Sequence, residues 1–165
     1  GPFMYEHMVR IPLLIKPAGR LNSSIRGKRT NFNAVSVDFA PTIRDVAGLE
    51  SRESDGISLM PLLSGQEPEQ RRDYVIGQYY GKQQWVNPIR MIRISRWKYN
   101  VYQKYGEELY DLENDPNELH NLASVAEYTE QKQQLRQRLD DWIQANDDPF
   151  YSLPVTDQEG HQLPE

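Results

Sequence analysis

The stretch Glu108–Ala123 reads ELYDLENDPNELHNLA, and it decides the fold of the second half of the chain. Its first residues, including Leu109 and Leu112, fit a half-buried strand. Asp115 has a short side chain that can hydrogen-bond to nearby backbone, and Pro116 fixes its own φ while it pushes the preceding residue into an extended conformation. The stretch therefore predicts the end of a strand, a turn and the approach to a helix.

Short segments rich in β-branched and aromatic residues precede and overlap this stretch, and they predict a sheet. The strands are predicted at Tyr74–Tyr80, Arg90–Ile94, Trp97–Gln103 and Glu107–Leu112. The connections between the last three are short enough for hairpins, so the sheet is predicted to be antiparallel.

An amphipathic helix is predicted after the turn. Ser124 and Glu127 have the spacing of a capping box, which places the start of the helix there. Apolar residues then recur on one helical face, at Tyr128, Leu135, Leu139, Trp142 and Ile143. A stripe of this kind is buried against another layer, so the sequence predicts a four-stranded antiparallel sheet packed against a C-terminal helix.

The first part of the chain predicts a different architecture. Ile11–Lys16 is a nearly continuous apolar run, typical of a strand buried on both faces of a mainly parallel sheet. Asp38 and Ser58 are each placed to start a short helix with a proline in its first turn. The fold class is therefore α/β, with an α+β second half. The predicted domains are residues 1–70, the end of a large mainly parallel sheet domain (strand, loop, two helices), residues 71–146, the antiparallel sheet and helix, and residues 147–165, an irregular tail.

Composition excludes several classes of protein and site. The chain has 165 residues, a formal net charge of −5 and no cysteine, so it holds neither a disulfide nor a thiolate metal site. No apolar run is long enough to span a membrane, and an acidic chain without a recognition motif disfavours nucleic-acid binding. Residues 1–106 carry 16 Lys and Arg against 9 Asp and Glu, whereas residues 107–165 carry 3 against 15. The basic part could steer an anionic substrate, or the charges could simply segregate along the surface.

No constellation in the sequence has the pattern of a catalytic or metal site. The histidines His7, His120 and His161 are far apart and lack ligand spacing. The adjacent carboxylates Asp140 and Asp141 point in different directions on a helix. The sequence therefore predicts no catalytic residue and no metal ligand in this chain.

The stretch quoted at the outset resembles the signature Glu-Leu-Tyr-Asp-Leu-x-x-Asp-Pro-x-Glu-x-x-Asn-Leu-Ala near the C-terminus of type I sulfatases, members of the alkaline-phosphatase superfamily. Other segments resemble sequence motifs of the same family, and they occur in the same order as in the family. They are Tyr5–Ile15, Val37–Ile43, Asp55–Leu63 and Arg90–Tyr99. The chain is similar to the C-terminal portion of a formylglycine-dependent sulfatase.

The resemblance implies hydrolysis of a sulfate ester or sulfamate, with a sulfated small molecule or glycan as substrate. It also implies calcium and a formylglycine made from the Cys or Ser of a Cys/Ser-x-Pro-x-Arg motif, which this chain lacks. Both are expected from an upstream catalytic domain, the main partner of this chain, and the chain alone is expected to be inactive. A periplasmic or extracellular location is favoured by the same resemblance.

Two regions are candidates for substrate contacts. His7 follows the Tyr5-Glu6 loop, which in the family passes beside the sulfate pocket. The loop from Gln78 to Arg90 reaches toward the mouth of the pocket in the family; its aromatic faces can stack on a sugar, and its polar side chains can bond hydroxyl or sulfate groups. The predicted substrate-binding residues are His7, Tyr79, Tyr80, Gln83, Trp85 and Arg90. The alternative for the aromatic members is that they pack the edge of the sheet.

Other functions stay open at this point. A phosphonate or phosphate ester hydrolase of the same superfamily could share these C-terminal sequence motifs. The sheet and helix could instead form a non-catalytic module that binds carbohydrate or serves assembly. Self-association through an unpaired strand at residues 11–16 is a further possibility.

Overall fold

The computed structural model describes residues 3–16, 25 and 27–164, and the chain divides into two compact units. The helical unit comprises residues 13–73, and the sheet unit comprises residues 1–12 together with 74–165. The elements in chain order are α1 (Glu6–Val9), α2 (Phe39–Val46), α3 (Met60–Leu63), β1 (Val75–Lys82), β2 (Trp85–Ile94), β3 (Trp97–Tyr102), β4 (Gly106–Asp111) and α4 (Thr129–Ala145). No helix in the described part of the chain has both the length and the hydropathy to cross a bilayer.

The helical unit is organised around one buried carboxylate. Asp38 precedes α2, as the sequence predicts, but its side chain makes no cap on that helix. The carboxylate instead accepts hydrogen bonds from the backbone N–H groups of Val35 and Ile57, each at 2.8 Å, and pairs with Arg72 at 2.7 Å. A fully buried charge needs such partners, because water no longer solvates it. Asp38 therefore joins three loops of this unit.

The strand predicted over Ile11–Lys16 is not formed. These six residues have no regular secondary structure, and Leu14 is 92% exposed. A strand requires a neighbour that satisfies its backbone donors and acceptors, and no described residue supplies one here. The predicted self-association through this strand is therefore not supported. The loop predicted to follow it, residues 20–33, lies partly outside the described residues, at 20–24 and 26.

The sheet unit contains the predicted four-stranded antiparallel sheet, in the order β1-β2-β3-β4. Its strands are joined by turns at residues 83–84, 95–96 and 103–105. On one face the sheet packs against α4, whose buried residues are members of the predicted apolar stripe. This core consists of Ile92, Tyr99, Val101, Leu109, Leu135, Leu139, Ile143 and Phe150. The prediction of a sheet covered by a C-terminal helix is confirmed.

The opposite face of the sheet is also covered. The segment that contains α1 packs there, and Met4 joins Ile89, Met91 and Tyr102 in a second buried cluster. Both side-chain rows of the central strands are therefore inside the unit. As a result, charged residues that alternate with the core of β2 and β3 are buried rather than solvated.

One local feature differs from the sequence prediction. The capping box at Ser124–Glu127 is not formed; a 3-10 turn at Ala126–Tyr128, without a side-chain cap, leads into α4. The tail is irregular but ordered on this unit, because Phe150 is fully buried and Val155 is 3% exposed. Apolar burial therefore fixes a segment that has almost no regular structure.

Candidate substrate-contacting surface

The β1–β2 hairpin carries most of the residues that the sequence selects as substrate contacts. Its pairing shifts register between Tyr79 and Gly81, where two steps along β1 face three steps along β2, so the extra residue of this bulge lies in β2, between Val86 and Ile89. Beyond the bulge the strands pair at Gly81↔Val86 and Lys82↔Trp85 and end in a two-residue turn. The bulge redirects side chains at the end of the sheet.

Tyr79 and Tyr80 point to opposite sides of this hairpin. Tyr79 packs against the cluster beneath the α1 segment, and its buried hydroxyl has no hydrogen-bond partner among the described residues. Burial raises the pKa of Tyr79. Tyr80 is 45% exposed, and its ring lies against the guanidinium of Arg90, with 4.6 Å between Cζ and the ring centroid. Tyr80 is thus the more exposed of the two tyrosines.

Arg90 is fully buried and pairs with the tail. Its Nη2 lies 2.7 Å from Asp148 Oδ1, its Nε contacts both carboxylate oxygens, and its Nη1 donates to the carbonyl oxygens of Tyr79 and Ile89. Burial opposes ionisation of Asp148, but hydrogen bonds from Arg90 and Gln78 outweigh it and lower the pKa of that carboxyl. Arg90 therefore supports the hairpin from inside, and its guanidinium has no exposed edge for a substrate.

The turn of the hairpin presents Gln83 and Trp85. Gln83 is exposed and has a φ of 57°, in the left-handed region. Trp85 is partly buried. Thr156 fixes this end of the hairpin, because its hydroxyl accepts a hydrogen bond from the N–H of Val86 at 2.8 Å and donates to the carbonyl oxygen of Gln84. The tail thus holds the turn from which the candidate contacts project.

His7 lies in α1 on the other covered face of the sheet. It is exposed, and its ring stacks on Tyr5 with 5.8 Å between centroids. The hydroxyl of Tyr5 donates to Glu108, which also accepts from Asn100 Nδ2 at 2.9 Å and from the Tyr102 hydroxyl at 3.0 Å. The structure therefore divides the predicted contacts between two places in the sheet unit, with His7 in α1 and the others on the hairpin.

Three charged residues tie α1 to the sheet, and we call them the Lys98 clasp: Glu6, Lys98 and Glu118. Lys98 Nζ lies 2.8 Å from Glu118 Oε1 and 3.3 Å from Glu6 Oε1. The Lys98–Glu118 contact is an ion pair rather than a directed hydrogen bond. The second oxygen of Glu118 accepts the backbone N–H of Glu6, and Arg93 Nε lies 3.5 Å from the Glu6 carboxylate.

The sequence does not reveal the clasp, because alternation along β3 predicts that Lys98 faces solvent. In the structure Lys98 is fully buried, and that prediction is wrong. The α1 segment covers the face that would otherwise be exposed. One available signal is composition, since the signature Glu108–Ala123, which supplies part of β4 and the following turn, contains glutamates at 108, 113 and 118.

Among the residues that the structure describes, the one group of candidate ligands does not fit the metal that the resemblance implies, and the sequence lacks the implied nucleophile. Asp157, Glu159 and His161 bring ligand atoms within 4.8 Å of one another in the tail, and the last two are exposed. Calcium prefers six to eight oxygen ligands, whereas this group offers two carboxylates and an imidazole. No Cys/Ser-x-Pro-x-Arg motif is present in the sequence.

Comparisons with known proteins place the chain in a family. The protein-family model described as N-sulphoglucosamine sulphohydrolase, C-terminal, matches residues 2–145 of this chain. Delta 4,5-hexuronate-2-O-sulfatase of Bacteroides thetaiotaomicron is 33% identical over 154 residues, which cover 92% of this chain and 32% of that protein. N-acetylglucosamine-6-O-sulfatase of the same species is 31% identical over 146 residues, which cover 84% and 26%.

A solved structure agrees with these relatives. The structure of a 2-O GAG sulfatase matches with a TM-score of 0.68 at 38% identity, covering 72% of this chain and 26% of that one. This chain thus spans about a third or less of the length of the proteins it matches. The chain belongs to the N-sulphoglucosamine sulphohydrolase C-terminal family, and it is similar to the C-terminal portions of sulfatases of the alkaline-phosphatase superfamily.

Proposed function

We propose that this chain is the C-terminal part of an enzyme that hydrolyses sulfate esters or sulfamates of a sulfated carbohydrate. The observation that carries the proposal is the 33% identity to a hexuronate 2-O-sulfatase across 92% of the chain. The names of both sulfatase relatives specify a sugar, and the matching solved structure is a GAG (glycosaminoglycan) sulfatase.

In this proposal the chain contributes substrate contacts, and the chemistry resides elsewhere in the enzyme. A formylglycine nucleophile and calcium come from the catalytic domain, because the residues of this chain fit neither. The chain alone is accordingly expected to be inactive. Its own contribution is an exposed aromatic ring at Tyr80, an exposed amide at Gln83 and an exposed imidazole at His7. Rings of this kind stack on sugar faces, and amide and imidazole groups bond hydroxyl or sulfate oxygens.

The test is a substrate panel for the whole enzyme that contains this chain. Released sulfate is measured by ion chromatography with a 2-O-sulfated unsaturated hexuronate disaccharide, 6-O-sulfated N-acetylglucosamine and N-sulfated glucosamine. A phosphonate monoester is the matched control. Sulfate release from at least one sugar supports the proposal. Turnover of the phosphonate alone would instead indicate a phosphonate hydrolase of the same superfamily. Saturable glycan binding without release of sulfate would favour a non-catalytic binding module.

A further inference from the structure

The Lys98 clasp connects two segments that are remote in sequence. Glu6 and Glu118 are 112 positions apart, yet the Glu118 carboxylate accepts the backbone N–H of Glu6. Lys98 lies between the two carboxylates with its side chain fully buried, and the Glu118 side chain is 1% exposed. Because water does not compete at this site, the pairing is specific to these partners.

The α1 segment, which the clasp holds, is too short to be stable as a helix on its own. The helix α1 has four residues, and an isolated helix of this length is not stable in water. Its own backbone hydrogen bonds are those from Met8, Val9 and Arg10 to Tyr5 and Glu6. The position of α1 on the sheet therefore depends on side-chain contacts, of which the clasp is the charged and buried set.

We propose that Lys98 and Glu118 are positioning residues for substrate binding, which act by holding the α1 segment in the place where His7 meets the substrate. His7 directly follows Glu6, so a displacement of Glu6 displaces the imidazole. The proposal rests on the proposed function for its kinetic consequence. It gives the turn signature Glu108–Ala123 a task in the enzyme, since that signature supplies Glu118.

A merely structural pair and a positioning pair predict different kinetics. Loss of stability reduces the fraction of folded enzyme, which lowers the apparent kcat and leaves KM unchanged. A displaced substrate contact weakens binding in the ground state and the transition state alike, which raises KM with little change in kcat. The ratio of the two effects therefore separates the two roles.

The experiment compares three variants of the whole enzyme: Lys98→Met, Glu118→Asn and the double variant. Asparagine suits the left-handed backbone at position 118, where φ is 55°, but it is too short and uncharged to reproduce the pair. Each variant is expected to raise KM about tenfold with kcat within about twofold, as for a lost uniform binding contact. In the double variant the thermal midpoint recovers relative to Lys98→Met, because no unpaired charge stays buried, while KM stays high.

Asp111→Asn is the matched control. Asp111 lies in the same signature, is nearly buried and pairs with Arg96 and Asn114, each at 2.8 Å. This variant is expected to lower the thermal midpoint and to leave KM at the wild-type value. A rise in KM equal to that of Glu118→Asn, or recovery of KM together with the midpoint in the double variant, would overturn the positioning role.

A second readout does not depend on turnover. Hydrogen–deuterium exchange of the amides at residues 6–10 is expected to become at least tenfold faster in Lys98→Met and Glu118→Asn, with the central strands unchanged. Unchanged exchange at residues 6–10 would overturn the proposal whatever the substrate is. If exchange rises but no sulfated sugar is hydrolysed even by the wild-type enzyme, the clasp holds α1 as argued, while the proposed function and the role in substrate binding both fail.

Discussion

Arg90 and Asp148 form a bidentate ion pair with 2.7 Å between Nη2 and Oδ1, and their side chains are 0% and 2% exposed. The pair joins the centre of β2 to the first residues of the tail. Such a pair is costly to break from one side, since the remaining charge stays buried without its counterion.

Asp148→Asn is expected to destabilise the protein by about 3–5 kcal/mol, because it leaves the Arg90 guanidinium uncompensated. Urea unfolding followed by tryptophan fluorescence measures the change. The neighbouring Asp147→Asn is the control, because Asp147 is exposed and asparagine accepts its left-handed φ of 49°. Equal effects of the two substitutions would contradict the importance of the ion pair.

The stabilisation by Asp148 should depend on pH in the acid range. Its carboxyl has a lowered pKa in the folded protein, so its contribution is complete above the pKa of an unfolded aspartate, about 3.9. It is lost as the pH falls through the lower folded value. The difference in unfolding free energy between wild type and Asp148→Asn is therefore expected to be constant from about pH 5 to 7 and to shrink below about pH 4. A difference that stays constant to about pH 2 would refute this linkage.

Tyr102 should produce the opposite dependence at alkaline pH. Burial and the adjacent Glu108 carboxylate raise the pKa of Tyr102, so the folded protein keeps this hydroxyl protonated. Its contribution is complete below the pKa of an unfolded tyrosine, about 10, and declines as the pH rises above it. Tyr102→Phe is expected to cost about 1.5–3 kcal/mol at pH 7, since the lost hydrogen bond is to a charged group.

The alkaline prediction is checked by comparing wild type and Tyr102→Phe at pH 7 and pH 11. The wild-type advantage should be smaller at the higher pH. Tyr105→Phe is the control at pH 7, because Tyr105 is 52% exposed and such a change usually costs less than about 0.5 kcal/mol. An advantage that grows with pH would contradict the raised pKa.

Two glycines in β1 should respond differently to alanine. A Cβ at Gly81 would lie 2.7 Å from the carbonyl oxygen of Trp85 and 2.9 Å from Val86 Cα, and both atoms belong to the paired backbone. A Cβ at Gly77 would meet the flexible end of Met91 at 2.8 Å. Gly81→Ala is expected to cost about 1–3 kcal/mol and Gly77→Ala less than about 1 kcal/mol, both by urea unfolding. The reverse order would show that the hairpin adapts more easily than the core.

The exposed amide of Gln83 is the simplest test of the hairpin as a substrate surface. Gln83→Asn shortens the side chain by one methylene and keeps a residue that accepts positive φ. Its KM for the sulfated sugar that the enzyme hydrolyses is expected to rise about tenfold, because a displaced amide leaves a polar group of the substrate unpaired. Gln144→Asn, at an exposed position in α4, is the control. An unchanged KM in both variants would show that Gln83 does not contact the substrate.

The sheet and α4 could be predicted from the sequence because their patterns are local. Apolar residues at Leu135, Leu139 and Ile143 recur at helical spacing, and each is buried as expected. The strands are separated by short turns, which leaves little choice of topology. The resemblance to sulfatases rests on the same local strings, and the comparisons confirm it.

The contacts made by buried charges could not be predicted, because they join distant parts of the chain. Lys98 pairs with Glu118 beneath the α1 segment, and Arg90 pairs with Asp148 where the tail packs against β2. Alternation along a strand assigns each residue to a face but does not say whether another segment covers that face. For the same reason the apolar run at Ile11–Lys16 suggests a strand whose partner no described residue provides.

Glu118 has a left-handed backbone, with a φ of 55°. For a residue with a Cβ this conformation costs roughly 1–2 kcal/mol, and glycine would adopt it freely. A designer optimising the turn alone would choose glycine and would gain a relaxed loop that no longer holds α1. The strained backbone at this position is thus the local cost of a carboxylate that holds α1 in place. A substitution that relaxes this turn could raise the thermal midpoint and still release α1, and a thermal assay alone would not reveal that loss.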